Sequence, residues 1–487
     1  MVTPGEVLYS RAQSGANSRQ SQPICNGFVG SWLTFAFMLH YFPMSQDPIA
    51  AHSAAVVRQR PRYDPGLVAS SVRRAIEALG LSWSDLARAG ERVLLKPNFI
   101  RESHASRPDE WEQITTHGTV IAAVAHEVAA AMDGRGTLTI ADAPQTDSDF
   151  DTICERAEIP KLRERLRREF PALRFEVLDL RREVWRTKRG VIVERRKLPE
   201  DPRGYTLVNL GEHSCFHNKK GRFYGADYDT AFTAQHHSHG KHEYLISRSV
   251  MDADLFINLP KLKTHKKVGV TLSLKNLVGI NGDKNYLPHF CIGTPDEGGD
   301  EFPDSKAATK FQSHAIAAFK AAAKRSGATT KLWAPIAKHV GSRVFGDTTK
   351  VVRSGNWWGN DTTWRMTLDL NKALWHFDGS GKPRTKPLRY LTIIDGIIAG
   401  EGNGPMEADA KPCGVLIAGT NPVAVDFVAT RLMGFDWQKV PTIREAFQIS
   451  DLKLADFGPG DVEVAPELGE VFHFRPHFGW VGHIEAP

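Results

Sequence analysis

The chain is poor in cysteine: Cys25, Cys154, Cys215, Cys291 and Cys413 are odd in number, far apart, and form no C-x-x-C pair among 487 residues. That argues against an iron–sulfur cluster, a zinc ribbon and a disulfide scaffold, and makes a reducing, cytoplasmic location the expectation. A strong charge bias is also missing. The 62 basic and 56 acidic residues leave a net charge of +6, which favours an anionic small molecule over nucleic acid as partner, and no RNA- or DNA-binding motif is present. The apolar stretch Phe28–Phe42 has only 15 residues, short of the roughly 18 to 20 that a spanning helix needs, so no stable membrane span is expected. It does have the length of a signal-peptide core, with Arg11 and Arg19 before it and small residues at Ala51–Ala55. Export or membrane anchoring through residues 28–42 therefore stands as an alternative to a plain upstream extension ending near Met44. Neither a Walker nor a G-x-G-x-x-G pattern occurs, so no nucleotide site follows.

What is present is alternation. A hydrophobic content of 41% with 24% charged residues is that of a globular protein. Strand-like runs at Ala54–Arg58, Arg92–Leu95, Thr137–Ile140, Arg174–Leu178, Leu255–Leu259, Tyr390–Ile394 and Val415–Ala418 are interleaved with helical patterns at Ser70–Leu79, Thr119–Met132 and Pro422–Met433. This predicts an α/β fold of mixed or mostly parallel sheets flanked by helices. The expected organisation is a disordered N-terminal extension over 1–53, a core over 54–292 and 386–487, and an insertion over 293–385 placed to act as a lid. Strands near Val93, Thr137, Leu255, Leu391 and Val415 each end in polar residues, and their carboxyl ends are expected to face one cleft.

The most informative stretch is DADLFINLPKLKTHKKVGVTLSLKNLVGINGDKNYLPH, from Asp252 to His289. Its strand stops at Pro260, and a cationic loop is expected to follow with Lys261, Lys263, His265, Lys266 and Lys267. The adjacent Lys266 and Lys267 read as a solvated face. Lys275 sits in the apolar segment VTLSLKNLVG, where a buried ammonium needs an anion, a carboxylate or a backbone partner.

INLPKLKTH followed by GVTLSLKNLVG resembles the central signature of the domain of unknown function 362 family. VLLKPNF at Val93–Phe99, IADAP at Ile140–Pro144, IIDGIIAGEGNGP at Ile393–Pro405 and NPVAVDFVATRLMG at Asn421–Gly434 fit the same resemblance. Many members also carry a cysteine-rich ferredoxin-type module, which this sequence lacks, and the resemblance implies no settled chemistry.

From the residues, the candidate site gathers His265, Lys263 and Lys275 as catalytic groups, His265 being the acid or base. Lys96, Asn98, Lys261, Thr271, Ser273, Asn276 and Asn403 would hold the ligand. Asp142, Asp395 and Glu401 would orient His265 or bind a divalent ion such as Mg²⁺. The expected function is an enzyme acting on a phosphate- or carboxylate-bearing small molecule. The alternative is a non-catalytic binding or assembly protein using the same loop. His236, His237, His239 and His242 have spacing that can bind a transition metal, but read more simply as exposed imidazoles beside a turn at Gly240. Asp426 reads as a carboxylate in the first or second turn of its own helix, favouring the helix dipole.

Overall fold

The computed structural model describes residues 52–188, 191–225, 229–306, 309–313 and 352–487. The expected N-terminal extension, including Phe28–Phe42, lies outside them apart from its last two residues. Ten strands form the main sheet: β1 (Ser53–Arg58), β2 (Arg92–Pro97), β3 (Gly136–Asp142), β4 (Leu173–Asp179), β5 (Leu255–Leu259), β6 (Lys261–His265), β7 (Gly269–Thr271), β8 (Arg389–Asn403), β9 (Glu407–Gly419) and β10 (Glu463–Ala465). Their order is β10-β1-β9-β8-β5-β2-β3-β4, with β6 paired to β8 and β7.

The sheet is mixed. β8, β5, β2, β3 and β4 run parallel, whereas β9 is antiparallel to both β8 and β1. Four of the five strands expected to point their carboxyl ends the same way do so, and the strand at Val415 runs the other way. The cause is local. Arg389–Asn403 and Glu407–Gly419 form one long hairpin, and the glycine-rich GEGNGP, expected as a tight loop from Gly400, is mostly the end of β8. A hairpin reverses direction, where a crossover helix would have preserved it.

Helices cover both faces. Pro65–Ala78 begins at Asp64, whose side chain accepts the Leu67 N–H at 2.9 Å, and buries Val68, Val72, Ala75 and Ile76 at helical spacing. It packs with Gly118–Ala131 and Ile159–Glu169 against Val93, Leu95, Ile257 and Leu391. The opposite face carries Leu94, Phe256 and Tyr390 against the helix Thr363–His376, which contributes Met366, Leu370 and Leu374. That alternation along β2 and β5 puts Lys96 on the face of Leu94, and Asn258 on the face of Phe256. Among the described residues no helix is long and apolar enough to cross a membrane.

Candidate functional site

Pro260 breaks β5 but does not end the extended chain. The expected loop is instead strand β6, parallel to β8 with Lys261 opposite Asp395 and Lys263 opposite Gly400, and antiparallel to β7 with Lys263 opposite Thr271. Period-two geometry sends Lys261, Lys263 and His265 to one face. All three are buried, so the cationic run is an interior feature.

Two of the lysines meet carboxylates supplied by neighbouring strands. Lys96 Nζ lies 2.7 Å from Asp142 Oδ1 and donates to the Pro97 carbonyl at 2.8 Å. Asp142 Oδ2 also accepts the Phe99 N–H at 2.7 Å. A Cβ on Gly279 would fall 1.8 Å from Asp142 Oδ1 and 2.6 Å from Lys96 Nζ, so only glycine fits across this pair. Lys261 Nζ donates to Asp395 Oδ2 at 2.9 Å and to the Tyr63 hydroxyl at 2.7 Å. Tyr63 in turn donates to Asp395 Oδ1 at 3.0 Å. The His117 ring stacks on Tyr63, with ring centres 3.6 Å apart, and on Trp111 at 5.0 Å. Burial, opposed by Asp395, brings its pKa down to about 4. Burial likewise pulls both lysines below their ordinary value, with Asp142 and Asp395 opposing the shift.

Lys263 has no carboxylate partner among the described residues. Its Nζ donates to Asn98 Oδ1 at 3.0 Å and to the Ile114 carbonyl at 2.5 Å. From Asn98 an amide chain continues inward: Asn98 Nδ2 to Asn276 Oδ1 at 2.8 Å, Asn276 Nδ2 to Asn258 Oδ1 at 2.7 Å, and Asn258 Nδ2 to the Tyr390 hydroxyl at 2.8 Å. Burial, reinforced by Lys261, holds the Lys263 amine far below the usual lysine range.

Lys275 is the exception. It is 7% exposed, and no hydrogen bond or ion pair reaches its ammonium from any described residue. Burial, with Lys284 and Lys96 adding repulsion, lowers its pKa to about 7. Its backbone is nonetheless held firmly. Asp426, in the helix Pro422–Leu432, accepts the N–H groups of Ser273 and Leu274 at 2.8 Å each, so this aspartate anchors a different segment from its own helix. Thr271 Oγ1, buried opposite Lys263, also has no hydrogen-bond partner among the described residues. Around Lys275 stand other basic groups. His265 is held neutral by burial and then by Lys275, and His289 by the same two causes in the same order. Half-buried Lys267 is brought to about 7 by burial and then Lys266. It donates to the Ser354 carbonyl and sits 4.9 Å from the centre of the Phe290 ring.

The structure thus brings together Lys96, Asn98, Lys261, Lys263, Asn276, Asp142 and Asp395 through strand ends and one amide chain, with His265 on the face shared by Lys261 and Lys263. Ser273 is engaged by Asp426 and by the Thr392 hydroxyl at 2.9 Å. Asn403 lies exposed where the long hairpin turns, and Glu401 pairs with Lys411 at 2.9 Å and accepts the Arg475 N–H at 3.0 Å. Asp142, Asp395 and Glu401 are three separate ion pairs, each already matched by its own lysine. Among the described residues no three His, Cys, Asp or Glu side chains form a group that could hold a metal ion. These donors do not fit an oxygen-ligated divalent cation.

Of the upstream histidines, His239 is exposed as expected and the others are not. His237 and His242 are buried, His237 Nε2 donates to the Tyr286 carbonyl at 2.7 Å, and His236 pairs with Glu243 at 2.6 Å. Residues that the sequence did not single out as members of the site include Tyr63, His117, Asn258, Lys267 and His289. Asn258, Lys267 and His289 carried a signal, by lying within the central stretch. Tyr63 and His117 reach Lys261 only through tertiary folding.

A family model of a domain of unknown function (DUF362) matches residues 190–431. A thylakoid-associated protein of Synechocystis sp. is 23% identical over 381 residues, covering 78% of this chain and 74% of that protein. The crystal structure of a Thermotoga maritima protein aligns with a TM-score of 0.30 at 11% identity, covering 74% of this chain. The chain spans 56% of that protein's length, and the likeness is too slight to bear on function.

Proposed function

We propose, from the premise that this chain belongs over residues 190–431 to the domain of unknown function family DUF362, that it is an enzyme acting on a phosphate- or carboxylate-bearing small molecule. The ligand's charge would be met by Lys275, and His265 would give or take the proton. One observation carries the reading: Lys275 is buried at 7% exposure with no anion, carboxylate or backbone acceptor among the described residues. A desolvated ammonium costs several kcal/mol unless it is countered, and Lys284 and Lys96 add repulsion rather than relief, so the counter-charge falls to a ligand. Thr271 Oγ1, unbonded and buried, supplies a hydroxyl for a ligand oxygen. Of the expected insertion over 293–385, residues 307–308 and 314–351 lie outside the described residues; within the described part, Ser354 takes the Lys267 ammonium and Asn360 and Thr363 hold the His289 carbonyl, which supports a role for residues 352–385 in flanking the site.

A second reading, a non-catalytic binding or assembly protein, draws support from the thylakoid association in the name of the Synechocystis relative. Thermal unfolding with and without millimolar phosphate tests the shared core of both. The native protein is expected to gain several degrees, and Lys275→Met to fold normally and gain nothing; an undiminished gain in Lys275→Met sinks the reading. Mass spectrometry of ligands released from the purified native protein then supplies the substrate. Loss of turnover on His265→Ala far beyond any loss of affinity separates an enzyme from a holder.

A further inference from the structure

His265 and His289 present opposite faces of imidazole chemistry to the same cluster. The Lys267 N–H donates to His265 Nδ1 at 3.0 Å. A ring that accepts at Nδ1 carries its hydrogen at Nε2, so neutral His265 offers an N–H there. His289 Nδ1 lies 2.9 Å from the Leu287 carbonyl oxygen, which can only accept. His289 therefore donates from Nδ1 and keeps a bare lone pair at Nε2. Neither Nε2 has a hydrogen-bond partner among the described residues.

Both backbones are pinned. His265 ends β6 opposite Gly269, and the His289 carbonyl accepts from Asn360 Nδ2 at 3.0 Å and Thr363 Oγ1 at 2.6 Å. Lys267, which fixes the His265 tautomer through its N–H, reaches with its ammonium over the ring of Phe290, next in sequence to His289. Burial, and after it Lys275, depresses the protonation of both rings, which keeps each in the neutral form that these tautomers require.

An anion of acceptor oxygens alone would match the Lys275 ammonium and the His265 N–H, but would offer the His289 lone pair no donor. We propose that the site selects an oxyanion carrying its own O–H group, on phosphorus or on the carbon beside a carboxylate, with His265 Nε2–H donating to an anionic oxygen and His289 Nε2 accepting the ligand's hydroxyl. This rests on the anion site at Lys275 and adds to it a requirement for a donor on the ligand.

Matched probes of nearly equal size test it by calorimetry on the full chain at about pH 7. Phosphate carries a P–O–H at that pH and sulfate does not; glycolate carries a hydroxyl and acetate does not. The expected result is a preference of at least about tenfold for the donor-bearing member of a pair, with His289→Phe lowering its affinity to that of the other member. A preference confined to phosphate over sulfate assigns the hydroxyl to phosphorus, and one confined to glycolate over acetate assigns it to carbon. Equal affinity within both pairs overturns the donor requirement while leaving the anion site standing. Absence of binding by all four probes overturns both.

Discussion

Lys96 and Lys261 stand near strand ends, each with a carboxylate within 2.9 Å, whereas Lys275 is buried almost as deeply with none among the described residues. The first two are answered by the sheet itself. β3 runs beside β2 and brings Asp142 to Lys96, and the register of β6 on β8 sets Lys261 opposite Asp395. Lys275 lies beyond the sheet, in the one-turn helix Ser273–Asn276 anchored by Asp426, where no strand among the described residues supplies it a carboxylate. Burial of a charge is thus handled in two ways in one protein. Where the partner is built in, the lysine is structural; where it is left out, the cost of desolvation is available to favour a ligand.

The sharpest way to break this contrast is to remove a built-in partner. Asp395→Ala strands the Lys261 ammonium in a fully buried position and takes away the acceptor of the Tyr63 hydroxyl. We expect a loss of about 3 to 5 kcal/mol in urea unfolding; a loss below about 1 kcal/mol would mean that Lys261 is not held by this pair. Asp426→Ala is expected to cost about 2 kcal/mol by the same measurement, because the Ser273 and Leu274 N–H groups lose their acceptor. The same variant should weaken phosphate binding, since the backbone that places Lys275 is no longer anchored, and unaltered affinity would show that Lys275 is positioned by other means.

The mildest effect is one of pH. The pKa of Lys275 is lowered to about 7, so its positive charge is present below that pH and lost above it in the free protein. Sulfate stays a dianion throughout, and its affinity should therefore fall by up to about tenfold per unit as pH rises beyond about 7. A flat profile between about pH 6 and pH 9 would place sulfate somewhere other than Lys275.

Much of the fold was legible because its signals are local. Leu255–Leu259 is bounded as its apolar run and Pro260 suggest, and the helices at Gly118–Ala131 and Pro422–Leu432 follow their periodicity to within a residue or two. The GEGNGP segment was not legible as strand, since its glycines signal a turn and only pairing with Ala408, Asp409 and Ala410 keeps it extended. Lys266 and Lys267 read as a solvated pair, yet Lys267 is drawn inward by the Ser354 carbonyl and the Phe290 ring, partners that its neighbours in sequence do not reveal.

By itself the sequence determined the alternation of strands and helices, the place of the lysine-rich stretch after the central strand, and the conflict between the Lys275 charge and its apolar neighbours. Each of these is written in residues a few positions apart, where periodicity and proline act. Only the tertiary structure decided which lysines are matched. Asp142 lies 46 residues along the chain from Lys96, and Asp395 lies 134 from Lys261. Such pairings come from the order and register of strands in the sheet, which backbone hydrogen bonding and the burial of two apolar faces set for the chain as a whole.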